Sequence, residues 1–148
     1  ALDYGQPILY SSYAFDSYDW APKDENGRLL DAKCAETSSI YLTNHEAGTW
    51  LCQHRMKSVS SMIAFRDQTS NEPVTNPQAT DSVLSFERGN VGFFAVNVTT
   101  QDLQGVEITT NLADGTYLEA ISGKEVEISG GVVKADLIAN QAIALLKR

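Results

Sequence analysis

Val83-Leu84-Ser85-Phe86-Glu87-Arg88-Gly89-Asn90-Val91-Gly92-Phe93-Phe94-Ala95-Val96-Asn97 sets two short runs of strand-forming residues on either side of a glycine-containing turn. Val83–Phe86 and Gly92–Asn97 read as the arms of a β-hairpin, with Arg88-Gly89-Asn90 as its loop. The same pattern repeats downstream. Val106-Glu107-Ile108-Thr109-Thr110 alternates apolar and polar residues, and Ala113-Asp114-Gly115 turns into Thr116–Ile121. Val126-Glu127-Ile128, the Gly130-Gly131 turn, Val132–Ala135 and Ala142–Leu146 complete the series. Short strands at such intervals, with glycine at the turns, predict an antiparallel β-sandwich with Greek-key connections over residues 73–148. No helical period fits beyond residue 70.

Upstream the period changes. Residues 53–67 place Met56, Val59, Met62 or Ile63, and the stem of Arg66 on one helical face, with Phe65 widening it. This helix of about fifteen residues needs a surface to bury its stripe. Residues 16–51 carry turn formers such as Asp16, Asp19, Asp24, Glu25, Asn26, Gly27, Asp31, Asn44 and Gly48, without sustained period. So long a connection is generally functional or pinned. Residues 7–15, Pro7 to Phe15, form a mostly apolar run that reads as one strand buried on both faces, as inside a parallel sheet or barrel. Nothing N-terminal in this chain pairs with it, so the expectation is that a further segment lies upstream and that Ala1 need not be the native start.

Bulk properties narrow the function classes. The chain has 148 residues, enough for one domain plus a shorter appendage, and a formal charge of −8. Its 11 Lys and Arg are scattered, so no patch is set to neutralise phosphates, and no nucleic-acid partner is expected. No basic run faces an anionic membrane, and no apolar run of about 18 residues could cross one. The two cysteines, Cys34 and Cys52, leave three readings open: a disulfide, two free thiols, or a zinc site shared with His45 and His54. The disulfide is favoured and would place the protein in an oxidising, extracellular compartment. Asn97-Val98-Thr99 is a glycosylation sequon, a triplet frequent by chance.

No complete catalytic set emerges from the residues. There is no GxSxG, and Gly89-Asn90-Val91-Gly92 joins two strands, so it lacks the helix N-terminus of a phosphate loop. Asp24-Glu25-Asn26-Gly27 lacks the alternating oxygen ligands and terminal Glu of a calcium loop and reads as a solvated turn. Asp16, Asp19, Asp24 and Asp31 could pair for glycoside hydrolysis only if rigidly spaced, which a long loop does not guarantee. Trp20, Tyr41 and Trp50 stand among polar residues and could stack on sugar rings or anchor the loop; anchoring is favoured.

Several segments resemble a known family in succession. Tyr4-Gly5-Gln6-Pro7-Ile8-Leu9-Tyr10-Ser11-Ser12-Tyr13 resembles the eighth barrel strand of animal-type and actinobacterial-type α-amylases. Trp20-Ala21-Pro22 with Asp24–Gly27 is similar to the loop that follows it, and Trp50-Leu51-Cys52-Gln53-His54-Arg55 to the motif opening the eighth helix. Val74-Thr75-Asn76 resembles the start of domain C, Leu84–Asn97 its first hairpin, and Ala113–Tyr117 with Ile121–Lys124 a later one.

The resemblance implies that residues 1–72 are the final β/α unit of a (β/α)8 barrel and 73–148 the C-terminal sandwich. It implies a secreted enzyme that hydrolyses internal α-1,4 bonds of starch or glycogen with retention. The Asp nucleophile, the Glu acid/base and the third Asp come from earlier barrel strands, so no catalytic residue is assigned in this chain. A complete barrel takes about 250 residues. The calcium ligands likewise lie outside it. Ile8 stands where animal-type members carry a basic chloride ligand, and an apolar residue cannot hold the anion; chloride is not expected. Met56 replaces a Trp, and Leu118 stands where a domain C cysteine would be. Trp50 aligns with an aromatic that contributes to a surface sugar site in some relatives, with Trp20 as a second candidate. The expected partners are the remainder of the barrel and, through the whole enzyme, an α-glucan. The competing reading is a self-standing carbohydrate-binding or interaction module.

Overall fold

The computed structural model describes Ile8, residues 23–31, Cys34 and residues 51–147. The chain divides into two compact units, residues 5–60 and a larger one running from Ser61 to the end. The strand expected at 7–15 lies outside the described residues except for Ile8, which is exposed.

In the smaller unit, Lys23 and Leu29 form an isolated antiparallel bridge around a turn. The Asp24 carboxylate accepts the backbone N–H of Asn26 and of Arg28, and Gly27 adopts φ +75°. This is an Asx-type turn, as its residues predict. Residues 53–55 form one turn of 3-10 helix, and Met56 breaks it with ψ 133°. The helix expected from residue 53 therefore starts later, as α1 (Lys57–Thr69).

The larger unit holds the second half of α1 and eight antiparallel strands: β1 (Val74–Ala79), β2 (Val83–Arg88), β3 (Gly92–Asn97), β4 (Leu103–Thr109), β5 (Gly115–Glu119), β6 (Glu125–Ser129), β7 (Val132–Leu137) and β8 (Ala142–Lys147). Every strand expected over residues 73–148 is present within a few residues. β1 was not expected as a strand. Pro77 lies in it, and proline removes a ladder donor, so it is tolerated only at an edge or a bulge. β1 has both: it is an edge strand, and its register shifts between Thr75 and Gln78, where Asn76 takes φ +47°.

The strands form one sheet in the order β1-β2-β3-β8-β5-β6-β7-β4. Reading β4-β7-β6-β5 across it gives the Greek-key order of three hairpin-linked strands with the first returned alongside the last. The inner face carries Val83, Phe93, Ala95, Leu145, Tyr117, Ile128, Val133, Leu137 and Ile108 in one buried cluster. Strands from both ends of the order supply it, so the sheet folds over itself. The two layers of the expected sandwich are thus halves of one continuous sheet, joined where β8 lies between β3 and β5. The edges meet: Gln78 Nε2 of β1 donates to the Thr109 carbonyl of β4 at 2.7 Å, and Thr109 Oγ1 donates to Gln78 Oε1 at 3.0 Å.

Part of the outer face is apolar too. Phe94, Ala144 and Leu146 point outward and bury Phe65 of α1, with Met62, Phe86, Val96, Ala120 and Ala142 packed around them. The buried helical stripe is therefore Met62–Phe65–Thr69, whereas Ile63, one of the alternatives for the face, is exposed. Gly92 makes this contact possible, because a Cβ there would sit 2.8 Å from Thr69 Cγ2 and 3.2 Å from the Phe65 ring. Thr69 Oγ1 is satisfied by donating to the Phe65 carbonyl.

Phe65→Ala should destabilise the larger unit by about 3–5 kcal/mol in chemical denaturation, and Gly92→Ala by about 1–3 kcal/mol, through cavity and overpacking respectively. Ile63→Ala should shift the midpoint little.

Candidate functional site

Each polar side chain turned into the folded sheet could be either chemistry or architecture. Along β2 the inward positions are Val83, Ser85 and Glu87, so strand alternation places Glu87 inside. It is 1% exposed. Its Oε1 accepts from Asn76 Nδ2 at 2.9 Å, Thr110 Oγ1 at 2.8 Å and the Asn111 N–H at 2.7 Å; Oε2 accepts from Asn111 Nδ2 at 3.4 Å. Burial pushes the carboxyl's pKa up, but these four donors together outweigh it and hold the group below its ordinary value. The carboxylate is thus ionised, saturated and closed to substrate. Its role is to join β1, β2 and the residues after β4.

Glu119 and Asn97 work in the same way. Glu119 Oε1 accepts the N–H of Ile121 and of Ala144, and Oε2 accepts the N–H of Ser122. Asn97 is fully buried; its Nδ2 donates to the Gln101 and Leu137 carbonyls at 2.7 and 3.0 Å, and Oδ1 accepts the N–H and hydroxyl of Thr99. The amide nitrogen of the sequon is therefore committed to the fold and inaccessible to a glycan. At the surface, the Gly130 and Gly131 amides hold the Asp114 carboxyl below its ordinary value.

Cys34 and Cys52 form a disulfide with Cα atoms 5.6 Å apart. That bond takes both sulfurs out of the free-thiol and zinc readings. Trp20, Tyr41, Trp50, His45, Asp16 and Asp19 lie outside the described residues. Among the described residues no group of three or more His, Cys, Asp or Glu side chains gathers as metal ligands. Asp24 Oδ1 accepts both amides of its own turn, as the reading of a solvated turn requires.

Among the described residues, a groove of about 530 Å³ lies on the outer face of β4, β6 and β7, lined by Glu107, Glu125, Val126, Glu127, Ser129, Val132 and Lys134. Lys134 Nζ pairs with Glu107 at 3.2 Å, both side chains well exposed. Such a pair is worth little and marks a solvated face. No aromatic ring lines the groove to stack on a sugar.

Comparison with known proteins settles the larger unit. Residues 74–145 match the family described as the α-amylase C-terminal all-β domain. This is an α-amylase C-terminal domain. Across 129 residues the chain is 34% identical to an α-amylase-related protein of Drosophila bipectinata, covering 86% of this chain and 25% of that protein. It is 34% identical over 140 residues to an α-amylase of Dermatophagoides pteronyssinus, covering 86% and 27%. The structure superimposes on wild-type α-amylase I of Eisenia fetida with a TM-score of 0.70 and 25% identity, over 93% of this chain and 31% of that one. The chain thus spans about a quarter of the length of the curated relatives it matches.

Sequence reasoning passed over Glu87 and Glu119, and read Asn97 only as part of a sequon. The inward positions of β2, β3 and β5 would have flagged them, because a charge or amide at an apolar position of the alternation must find partners.

Glu87→Gln should cost about 1–3 kcal/mol near neutral pH, since the new amide opposes the Asn111 donor. The native carboxyl titrates below its unfolded value of 4.5, so its contribution is fully present above that value and lost as pH falls through the folded one. The stability gap between wild type and Glu87→Gln should therefore narrow in urea titrations run from pH 6 down to pH 3. Expression in a eukaryotic secretory host should leave Asn97 unglycosylated by intact mass.

Proposed function

We propose that this chain is the C-terminal part of a secreted α-amylase that hydrolyses internal α-1,4-glucosidic bonds with retention, and that the segment is non-catalytic alone. The observation that carries this is the domain match over residues 74–145 together with the ordered resemblance upstream of it. The buried acids of the larger unit support a structural role, since the oxygens of Glu87 and Glu119 are used by the fold. On this reading residues 1–72 supply the last strand and helix of the barrel. The catalytic carboxylates and the calcium ligands then belong to the rest of the enzyme. Ile8 leaves no basic group for chloride at that position. The disulfide supports secretion. The remainder of the barrel and an α-glucan are the proposed partners, with Trp50 and Trp20 as proposed sugar contacts.

A second reading is favoured by one observation: the larger unit encloses a core of its own, as an independent module would. The two are separable. The purified 148-residue chain should release no reducing sugar from starch, and measurable hydrolysis would overturn the non-catalytic role. Retardation in a starch affinity gel that Trp50→Ala abolishes would instead identify a binding module.

A further inference from the structure

Two hydroxyls on the inner face of the sheet stand apart from the polar groups described above. Ser85 is 4% exposed, and neither its Oγ nor the buried Oγ1 of Thr75 has a hydrogen-bond partner among the described residues. A hydroxyl buried in that condition is unfavourable, and native interiors rarely leave one so. Glu87 lies directly across the ladder from Thr75 and two residues from Ser85, but it cannot serve them. Its carboxylate is taken up by Asn76, Thr110 and Asn111.

The backbone beside these hydroxyls is irregular. Thr75 faces Glu87 and Gln78 faces Ser85, so Asn76 and Pro77 together stand opposite Phe86. Two residues against one is a β-bulge, which takes one residue's backbone groups out of the ladder. Pro77 has no N–H, so the bulge is richer in acceptors than in donors. The side chains around Ser85 also leave room. Its partner on β3 is Ala95, and its partner on β1, Gln78, sends its amide to the Thr109 carbonyl.

A ligand for this place must be small, must donate to backbone oxygen and must exchange hydrogen bonds with hydroxyls. Water has that chemistry, and a buried water typically makes about three hydrogen bonds to groups otherwise unsatisfied. A neutral ligand fits better than an ion, because the carboxylate beside the site is already offset by four donors.

We propose that the β1–β2 bulge is an internal hydration site, in which one long-lived water is held by Ser85 Oγ, Thr75 Oγ1 and the backbone at Asn76–Pro77. The water replaces the ladder bonds that the bulge gives up, nearly as well as direct bonds would. A proline-bearing edge strand is thereby held to β2 at the point where its own pairing is interrupted.

The test is oxygen-17 magnetic relaxation dispersion on the 148-residue chain, which counts long-lived waters without interference from hydroxyl hydrogen exchange. It compares wild type with Ser85→Val and Thr75→Val, the second of which keeps the shape of threonine without its hydroxyl. Each variant should hold about one long-lived water fewer than wild type. An equal count in wild type and variants overturns the site, even where the variants are less stable. If Ser85→Val does not fold, Thr75→Val alone decides. Urea midpoints in sodium chloride and in choline chloride at equal ionic strength should agree. A higher midpoint in sodium that Thr75→Val removes assigns the site to a cation and overturns the proposal.

Discussion

β3 is buried along nearly its whole length on both sides, and the rest of the structure follows from the need to cover it twice. Gly92-Phe93-Phe94-Ala95-Val96-Asn97 offers Phe93 and Ala95 to one face and Phe94 and Val96 to the other. A single open sheet cannot bury both. Folding the sheet on itself covers the inner face, and α1 covers the outer one through Phe65. Each cover needs a local concession. The fold-over brings strand ends together and traps polar groups, which Glu87, Glu119 and Asn97 satisfy through directed hydrogen bonds. The helix needs a residue without a Cβ beneath it, and Gly92 provides that.

This division explains why the protein's acids are so unequal. Glu107, Glu125 and Glu127 stand on the solvated half and contribute charge. Glu87 is held ionised in the interior by amide and hydroxyl donors from two segments, β1 and the residues after β4. In an α-amylase C-terminal domain that arrangement places these carboxylates at structural joints.

Much of this was legible in the sequence, for physical reasons. The alternation in β2 to β8 is local, and local periodicity survives without knowledge of contacts. β1 was passed over because Pro77 argues against a strand, and only its position at an edge with a bulge admits it. The buried face of α1 was read one step off, since Met56, Val59 and Ile63 are as apolar as Met62, and only the sheet decides which residues are covered. Glu87 draws partners 11 to 24 residues away, and separations of that kind leave no periodic trace. Trp20 and Trp50, the sugar-contact candidates, fall outside the described residues, whereas the Cys34–Cys52 pair is seen as a disulfide.

The Gln78–Thr109 pair has a consequence beyond fixing the curl of the sheet. An unpaired strand edge is a template on which a foreign strand can add, the usual start of sheet extension and fibril growth. Here the two edge strands spend side-chain and carbonyl groups on each other, Pro77 offers no amide to a newcomer, and irregular registers interrupt both β1 and β4. Strand addition to the sheet is thereby discouraged at both margins. What the sheet presents to its surroundings is therefore its broad faces, where side chains rather than backbone are on offer.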